Sequence, residues 1–396
     1  MNPINSVMKK IILAFACCSI TWLTSQQLVQ AAPNKQQILS VEKTAISISN
    51  PADVAREEEV VEIPAAAFGN KWEPLAKAPF RIINKQTGKE IPYQLITLGQ
   101  PAPVALLVQV SLPAKSAITL SIQPGQPAKV KSRTFGRFVP ERKDDFAWEN
   151  DRVVFRMYGP ALANFPKENA HGIDFWSKRT SDLVVDNWYK LDNYHHDNGQ
   201  GLDYYKVGFT LGAGDNAPFV GDSINFSRKY KTYKVLDNGP LRTTFQLIYD
   251  TWKAGNTTVS ATKTISLDAG SQLNKMSVQY VFNGDKLPVV AGIVKREEPG
   301  AVLLDEKQGV LGYWEPQHGE DGTSGIGCVF PAAVPGMLVT SQHLLAKAKA
   351  TAGEPFVYYF GAAWDKAGRI KNEQQWFTYL QQFARKIQQP LTVKVQ

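Results

Sequence analysis

Residues 158–222 concentrate Asp, His, Asn, Trp and Tyr, the side chains that can do chemistry on a polar substrate. Three of the five histidines, His171, His195 and His196, lie within 26 residues of one another. Histidine and tyrosine exchange protons near neutral pH when their surroundings shift them, and polar side chains bond sugar hydroxyls. The segment therefore predicts a carbohydrate site built on loops that a rigid β scaffold carries.

The catalytic candidates come from this segment and from a second polar cluster at residues 312–322. In the first segment, one of two adjacent histidines or one of two adjacent tyrosines can act as a proton donor or acceptor. In the second, a glutamate and a histidine can form an acid–base pair, although a solvated hairpin loop has the same composition. The six candidates are His195, His196, Tyr204, Tyr205, Glu315 and His318.

The substrate-binding candidates are aromatic side chains that stack on sugar rings, hydrogen-bonding polar side chains, and cations that neutralise a carboxylate. Core packing is the competing explanation for each tryptophan, and surface ion pairing is the competing explanation for each cation. The predicted set is Arg156, His171, Trp176, Lys178, Arg179, Trp188, Asn198, Asp203 and Trp314.

These residues are compatible with several activities on a carbohydrate. β-Elimination would use a histidine or tyrosine base, with Arg156, Lys178 or Arg179 neutralising the carboxylate. Hydrolysis needs two carboxylates, and Glu315 with Asp197 or Asp203 can supply them. An aldose mutarotase or epimerase would set His196 opposite Glu315. A non-catalytic glycan-binding protein would use the Trp and Tyr side chains alone.

No cofactor is expected, and a divalent metal remains an alternative. Asp192, His196, Asp197 and Asp203 supply oxygen and imidazole ligands within twelve residues. Their spacing matches neither the twelve-residue calcium loop nor a zinc motif.

Other motifs are weak or missing. Residues 212–217 match the dinucleotide fingerprint in form, but Pro218 follows, and the mechanism needs a helix there. The chain has no phosphate-binding loop, zinc-protease motif or nucleophile elbow. Cys328 lies in a strand pattern and is expected to be buried. No basic cluster interleaved with aromatic residues indicates a nucleic-acid partner.

The N-terminus predicts export. Lys9 and Lys10 precede an apolar run from Ile11 to Leu23, and small residues surround Ala31. These features are typical of a secretory signal peptide over residues 1–31, so we expect a periplasmic or secreted protein. Attachment of lipid at Cys17 is the alternative. No other segment approaches the roughly 20 apolar residues of a membrane span.

Composition and strand spacing predict an all-β fold. The chain has 396 residues, 43% hydrophobic and 20% charged, which excludes a disordered chain. Short strands separated by Gly, Pro and Asn predict an N-terminal β-sandwich over 45–128. A dozen further strands predict a large two-sheet sandwich domain over 136–396, with one helix at Glu373–Ile387. The net charge of +8 does not mark the site, because residues 151–210 carry more acidic than basic side chains.

Several segments together resemble a bacterial family catalogued as domain of unknown function 4861. The longest and most specific is Tyr194–Gly208, and the resemblance covers nearly the whole chain from about Ala45 to Val395. The other matching segments are Trp148, Asn150–Arg152, Arg156–Pro160, Gly172–Trp176, Gly239–Arg242, Ile265–Asn274 and Tyr358–Trp364.

The resemblance implies an exported, carbohydrate-active protein associated with the breakdown of uronic-acid polysaccharides such as pectin. It also implies a fold similar to the supersandwich of galactose mutarotases and of several polysaccharide lyases. It brings no established catalytic residues, so the roles assigned above depend on side-chain chemistry alone. The expected partner is a carbohydrate, which an association with uronic acids would make acidic, and the oligomeric state is open.

Overall fold

The computed structural model describes residues 44–165, 170–191 and 193–396. Strands predominate and helices are few, so the predicted all-β class is confirmed. The described α-helices are α1 (Trp72–Lys77), α2 (Val185–Leu191) and α3 (Glu373–Gln388). None of the described helices has the length and apolar character needed to cross a membrane. The predicted signal peptide and the alternative lipid attachment at Cys17 lie outside the described residues.

Residues 45–124 form two small sheets that share an apolar core. Their strands are β1 (Ala45–Ser49), β2 (Arg56–Pro64), β3 (Phe80–Asn84), β4 (Tyr93–Ile96), β5 (Ala105–Leu112) and β6 (Ala117–Pro124). One sheet contains β1, β6 and β3, and the other contains β2, β5 and β4. Alternate residues of β1, Ile46 and Ile48, are buried in one cluster with Ile63 and Val108 of the facing sheet, as strand alternation predicts.

A third sheet, with five antiparallel strands, forms the first part of the larger unit. Its strands are β7 (Thr134–Val139), β8 (Asp145–Asn150), β9 (Val154–Met157), β10 (Ile173–Lys178) and β11 (Gly201–Leu202). Every residue of β8, β9 and β10 is buried. Both faces of these strands are covered, so their charged side chains must find partners inside the protein.

The remaining strands form two larger sheets and add one strand to the N-terminal sheet that contains β1, β6 and β3. They are β12 (Ala213–Val220), β13 (Ser223–Ile224), β14 (Thr232–Asn238), β15 (Arg242–Ala254), β16 (Thr257–Asp268), β17 (Leu273–Phe282), β18 (Lys286–Val294), β19 (Ala301–Asp305), β20 (Val310–Trp314), β21 (Ser324–Val329), β22 (Met337–Val339), β23 (His343–Thr351), β24 (Phe356–Trp364) and β25 (Thr392–Val395).

The two larger sheets pack together around the main core. One has eight strands in the order β14-β15-β16-β17-β24-β21-β20-β19, and the other has five in the order β13-β12-β18-β23-β22. Ile265 and Met276 of the first sheet belong to the same buried cluster as Ala291 and Leu344 of the second. This is the large two-sheet sandwich that the sequence predicts.

One charged side chain occupies a core position of β16. Lys263 lies among the inward-facing apolar residues of that strand, and its ammonium pairs with Asp215 of β12 at 2.5 Å. Asn216 adds its backbone carbonyl as a second acceptor and accepts a hydrogen bond from Tyr280 at its side-chain oxygen. An unpaired charge at this depth would be strongly destabilising, so the pair and its polar neighbours act as one unit.

The helix α3 covers the outer face of the eight-stranded sheet, within one residue of its predicted bounds. Asn372 caps its N-terminus by accepting a hydrogen bond from the Gln375 amide. Trp376 and Leu380 are buried, and the Trp376 indole donates to the carbonyl of Ile326 at 3.1 Å. The predicted apolar face therefore docks the helix on β20 and β21.

After α3 the chain returns to the N-terminal unit. β25 pairs antiparallel with β1, with Ile46 opposite Val395 and Ser49 opposite Thr392. The complete sheet has the order β25-β1-β6-β3. The sequence assigns this last strand to the 136–396 domain, whereas its strand partner belongs to the N-terminal sheet.

A close backbone approach at Gly201 directs the chain toward Asp203 and the two adjacent tyrosines. Gly201 pairs with Lys178 across β10 and β11, and its φ is 131°. A Cβ at this position would lie 2.0 Å from the carbonyl oxygen of Ser177. Only glycine fits both the backbone conformation and the space.

We expect Gly201→Ala to lower the free energy of unfolding by about 3 kcal/mol, because strain and a backbone clash act together. Gly199→Ala is the matched control, since Gly199 also has a left-handed φ, 87°, but no atom lies within 4 Å of the place that its new methyl group would take. That change should cost about 1 kcal/mol. Urea unfolding measures both, and equal losses would contradict this account of Gly201.

Candidate functional site

Three of the six catalytic candidates, Tyr204, Glu315 and His318, lie together beside the connection between β20 and β21. The Tyr204 ring stacks on the His318 imidazole, with 5.1 Å between centroids and 23° between planes. The Tyr204 hydroxyl lies 2.7 Å from the Ser324 hydroxyl. Tyr204, His318, Ser324 and Asp321 form what we call the Tyr204–His318 cluster.

Hydrogen bonds within the loop between β20 and β21 position two members of the cluster, His318 and Asp321. The His318 amide donates to Gly322, and the Asp321 amide donates back to His318, each at 2.9 Å. Asp321 Oδ2 lies 3.0 Å from His318 Nδ1. A proton on Nδ1 directed at this carboxylate leaves the lone pair on Nε2, and the imidazole is about half exposed. The solvated-loop interpretation therefore describes the backbone but misses the ordered His–Asp pair.

Glu315 is buried beneath the loop and is paired with Arg296. The Arg296 Nε atom lies 2.7 Å from Glu315 Oε1, and its Nη1 atom donates to the carbonyl of Lys206 at 2.6 Å. Burial raises the pKa of Glu315 to about 6, although Arg296 opposes the shift. Glu315 can therefore keep a proton at mildly acidic pH, as a general acid does.

Arg296, Ser324 and Trp364 belong to the site, and the sequence does not single them out. Arg296 stands in a charged run after β18 that has the composition of a solvated turn. Trp364 is buried at the end of β24, and its indole donates to the carbonyl of Asp321 at 2.8 Å. Ser324 lies opposite Trp364 in the register of β21 and β24. Only the sheet register shows these neighbours.

Arg179 extends the site along one side. Its guanidinium lies 4.7 Å above the Trp364 ring and pairs with Asp197. Its side chain is one-third exposed. Of the three predicted substrate-binding cations, it is the one with access to solvent at this place.

Arg156 is buried rather than open to substrate, which corrects its predicted role. Its Nη2 atom lies 2.5 Å from Asp174 and 3.1 Å from Asp203, and its Nε atom lies 3.8 Å from Asp145. Asp203 is likewise a structural partner and not a free ligand for a hydroxyl. We call these four residues the Arg156 network.

The Arg156 network holds three carboxylates and one guanidinium, so it cannot be fully ionised without large repulsion. Burial raises the pKa of Asp145 to about 6 and raises the pKa values of Asp174 and Asp203 as well. The Nε and Nη1 atoms of Arg156 and one oxygen of Asp145 have no hydrogen-bond partner among the described residues. Burial therefore favours the protonated form of these carboxyl groups in the folded state.

The two adjacent tyrosines differ in environment. Tyr204 reaches Ser324 and His318 at the surface, whereas Tyr205 is buried and its hydroxyl has no hydrogen-bond partner among the described residues. The Arg296 guanidinium lies 4.7 Å from the Tyr205 ring centroid. Tyr205 thus packs between the Arg296–Glu315 pair and the Arg156 network. The structure therefore contradicts its predicted catalytic role.

The structure also contradicts the predicted substrate-binding role of Lys178. Its ammonium is buried and lies 2.8 Å from Glu149 and 2.7 Å from the carbonyl of Asn150. Glu149 also accepts the amide hydrogens of Val184 and Val185 at the start of α2. Lys178 therefore neutralises a carboxylate of the protein that anchors this helix.

The three predicted sugar-stacking tryptophans are core residues. Trp176 stacks between Trp188 and Tyr194, with ring centroids 5.7 and 5.0 Å away, and its side chain is fully buried. Trp188 is buried in the same cluster. Trp314 packs in the cluster beneath α3 with Trp376. None of them presents a free face to a sugar ring, so core packing explains all three.

His171 is also structural. Its Nδ1 atom accepts the amide hydrogen of Gly172 at 2.8 Å, and its ring packs edge-on against Phe209 and Phe226. Burial lowers its pKa to about 4, so the imidazole is neutral at ordinary pH. Its buried position gives it no access to a substrate at the Tyr204–His318 cluster.

The loop 193–200 carries the remaining candidates. His195 Nδ1 lies 2.9 Å from the carbonyl oxygen of Asp203, and its side chain is largely exposed. His196 is exposed and makes no hydrogen bond to any described residue. Asn198 is exposed and donates to the carbonyl of Asn193 at 3.3 Å. The structure therefore brings neither histidine into contact with the cluster.

The candidate metal ligands do not form a set among the described residues. Asp203 belongs to the Arg156 network, and Asp197 pairs with Arg179. Asp192 lies outside the described residues. Within the described part of the chain, no group of three or more His, Cys, Asp or Glu side chains is arranged to hold a metal ion.

Comparison with known proteins identifies the family. The family model described as Domain of unknown function (DUF4861) matches residues 48–393. The chain belongs to the DUF4861 family. The predicted resemblance is therefore confirmed. This DUF4861 protein also has a relative in Formosa agariphila, called Uncharacterized protein P7, which is 30% identical over 383 residues, covering 90% of this chain and 94% of that protein.

Two solved structures from Enterococcus faecalis are similar to this DUF4861 protein. One is a protein in the Glycosyl Hydrolase Family 38, at 10% identity and a TM-score of 0.49. The other is an alpha-mannosidase, at 9% identity and a TM-score of 0.43. Each match covers 89% of the DUF4861 chain, which spans slightly under half the length of the two solved chains, 47% and 46%.

Glu315 gives the folded protein a pH-dependent stability with a definite sign. Because its pKa is raised from 4.5 to about 6, the folded state keeps a proton that the unfolded state has released between those pH values. The stabilising contribution is full below pH 4.5 and is lost as pH rises through 6. Over this window we expect the wild type to lose about 2 kcal/mol relative to Glu315→Gln.

Urea unfolding at about pH 4.5, 5.5 and 7.5 measures this difference, since titrations shared by both proteins cancel. Glu320→Gln removes an exposed carboxylate from the same loop and serves as the control. A Glu315→Gln difference that stays constant across the three pH values would contradict the raised pKa.

Proposed function

We propose that this DUF4861 protein is an exported, carbohydrate-active enzyme that cleaves uronic-acid-containing, pectin-like glycans by β-elimination. The observation that carries the proposal is the contact between Tyr204 and His318, with Asp321 holding the imidazole and Ser324 holding the phenol. Elimination requires a base within reach of the proton beside the carboxylate and an acid within reach of the leaving oxygen, and two adjacent proton-transfer groups can supply both.

In this proposal His318 is the base and Tyr204 is the acid. His318 Nε2 takes the proton from the carbon beside the uronate carboxylate, a carbon–carbon double bond forms, and the bond to the leaving sugar oxygen breaks. Tyr204 gives its proton to that oxygen. Burial raises the pKa of Tyr204, so the phenol is protonated at neutral pH and suits the acid role.

Arg179 is the proposed partner of the substrate carboxylate. Removing the neighbouring proton places negative charge on the carboxylate group, and a fixed cation lowers the cost of that charge. Arg179 is partly exposed beside Trp364, whereas Arg156 and Lys178 are buried with their own carboxylate partners. Arg296 is held by Glu315 and contributes its charge from beneath the loop.

Hydrolysis is the second candidate, and the raised pKa of Glu315 is the observation that favours it. A carboxylic acid that keeps its proton near pH 6 can protonate a glycosidic oxygen. The second carboxylate would be Asp197, because Asp203 is enclosed in the Arg156 network. Elimination is preferred because Glu315 is buried and paired with Arg296, while His318 is about half exposed and stacks on the partly exposed Tyr204.

A screen on polygalacturonate and its oligomers, with dextran as the neutral control, separates the remaining alternatives. Rising ultraviolet absorbance from an unsaturated product supports elimination. New reducing ends without that absorbance would assign hydrolysis instead. Binding by calorimetry without turnover would assign a non-catalytic glycan-binding protein. Faster equilibration of sugar anomers would assign a mutarotase, for which His196 and Glu315 are the sequence-predicted pair.

The two histidines test the assignment directly. We expect His318→Ala to lower kcat/KM on a uronate oligomer by about 10²-fold or more, because the base is removed. His196→Ala is the matched control, since His196 is exposed and lies outside the cluster, and its kcat/KM should stay within about twofold. Initial rates of absorbance change measure both, and the reverse ranking would exclude the cluster as the active site.

The adjacent tyrosines provide a second matched pair. Tyr204→Phe should lower kcat by about 10²-fold with little change in KM, because only the proton donor is lost. Tyr205→Phe removes a buried hydroxyl that has no partner among the described residues and should leave kcat within about twofold. Similar losses of kcat for the two variants would show that neither hydroxyl acts as the acid.

A further inference from the structure

We propose that a basic groove between the N-terminal and larger units binds further anionic units of the polymer whose bond is broken at the Tyr204–His318 cluster. The inference rests on the proposed function for its substrate and adds a second binding region. The groove carries no catalytic role.

The groove has a volume of about 530 Å³. That volume lies within the range of about 300–1,000 Å³ typical of small-molecule sites. Its lining includes Glu90 of the N-terminal unit, the connection 128–133, Asp151 and Ser181. The groove thus lies where the two units meet, a common place for ligand sites.

Basic side chains outnumber acidic ones around the groove. Lys129, Lys131 and Arg133 line it, and only two acidic side chains, Glu90 and Asp151, line it with them among the described residues. Lys131 pairs with Asp182, and Arg133 pairs with Asp151 at 2.6 Å. Lys129 is exposed and makes no hydrogen bond or ion pair to any described residue.

A group of three arginines adjoins the groove. Arg133 and Arg152 share Glu58, at 2.9 and 2.7 Å. Arg369 is exposed beside them and makes no hydrogen bond or ion pair within the described part of the chain. Partial burial and then the like charge of Arg152 lower the pKa of Arg369, whereas Asp151 and Glu58 oppose the shift. Arg369 therefore lies near two other guanidinium groups without an ion-pair partner of its own in the described part of the chain, and an anionic ligand would supply one.

Short connections along the chain link the groove and its neighbouring arginines to the proposed catalytic cluster. Ser181 lines the groove and follows Arg179 by two residues, which spans at most about 7 Å. Arg369 follows Asp365 by four residues, at most about 14 Å. Asp365 contributes, after burial, to the raised pKa of Tyr204 and therefore lies near it. In this proposal a polymer that leaves the cluster past Arg179 enters the groove.

These features favour a repeating polyanion. Lys129, Arg179 and Arg369 belong to three separate segments of the chain, and successive charged units of one polymer can contact them in turn. Carboxylate and sulfate ester groups share the chemistry that the basic side chains recognise. The test therefore includes one polymer of each kind.

The experiment compares the full chain with a charge-reversal double variant, Lys129→Glu with Arg369→Glu. Binding is measured by calorimetry with polygalacturonate, with dextran sulfate and with neutral dextran, at low and high salt. We expect affinity for an anionic polymer to fall about tenfold at low salt and the difference to shrink at high salt. Turnover of trigalacturonate should stay within about twofold, because Lys129 and Arg369 lie outside the Tyr204–His318 cluster.

The matched control is Lys307→Glu with Lys349→Glu, which changes the net charge equally at two exposed positions outside the groove lining. A loss confined to polygalacturonate assigns the groove to carboxylates, and a loss confined to dextran sulfate assigns it to sulfate esters. Losses of affinity for both polymers show that the groove accepts either carboxylates or sulfate esters. Unchanged affinity, or an equal loss in the control, overturns the proposal.

The two proposals fail separately in this design. If the wild type binds polymer through the groove but turns over no uronate oligomer, the proposed enzyme activity is wrong and the groove stands. If the wild type turns over trigalacturonate but the double variant binds polymer normally, the groove is wrong and the activity stands. Urea unfolding of each variant checks that the substitutions leave the fold intact.

Discussion

The buried guanidinium of Arg156 is the interaction on which the site depends. It joins β9 to β10 through Asp174, approaches Asp145 of β8, and holds Asp203 directly before the tyrosine of the cluster. Removing one member of such a buried group leaves the others uncompensated, which costs about 3–5 kcal/mol. The buried guanidinium of Arg156 therefore orients the segment that contains Asp203, and Tyr204, the proposed proton donor, is the next residue.

This arrangement separates residues that the sequence brings together. The polar, aromatic composition of 158–222 comes from two different demands. Strands β8 to β10 are buried on both faces, so Trp176 and Lys178 fill and neutralise the interior. Tyr204 stacks on His318 of the second polar loop, and Arg179 lies over Trp364, whose indole donates to Asp321 of that loop. Burial, rather than residue type, decides which aromatic and charged side chains are free to act.

Much of the fold follows from local patterns, whereas the site depends on register. Strand alternation and turn residues predict the sheets, and the apolar spacing of Trp376 and Leu380 predicts α3. Tyr204, Glu315 and His318 are predictable from their chemistry. Arg296 and Ser324 are not, because their partners are fixed only by which strands lie side by side. The same limit explains Arg156, whose pairing with Asp174 follows from the register of β9 and β10.

The pairing of β25 with β1 has a consequence for the order of folding. Residues 46–49 and 392–395 lie at opposite ends of the described sequence and share one ladder. During synthesis β1 keeps an open edge until residues 392–395 have been made. Contacts this distant along the chain slow the closure of the sheet. The N-terminal sheet is therefore completed only when β25 is present, and a chain that stops before β25 keeps an unpaired strand edge.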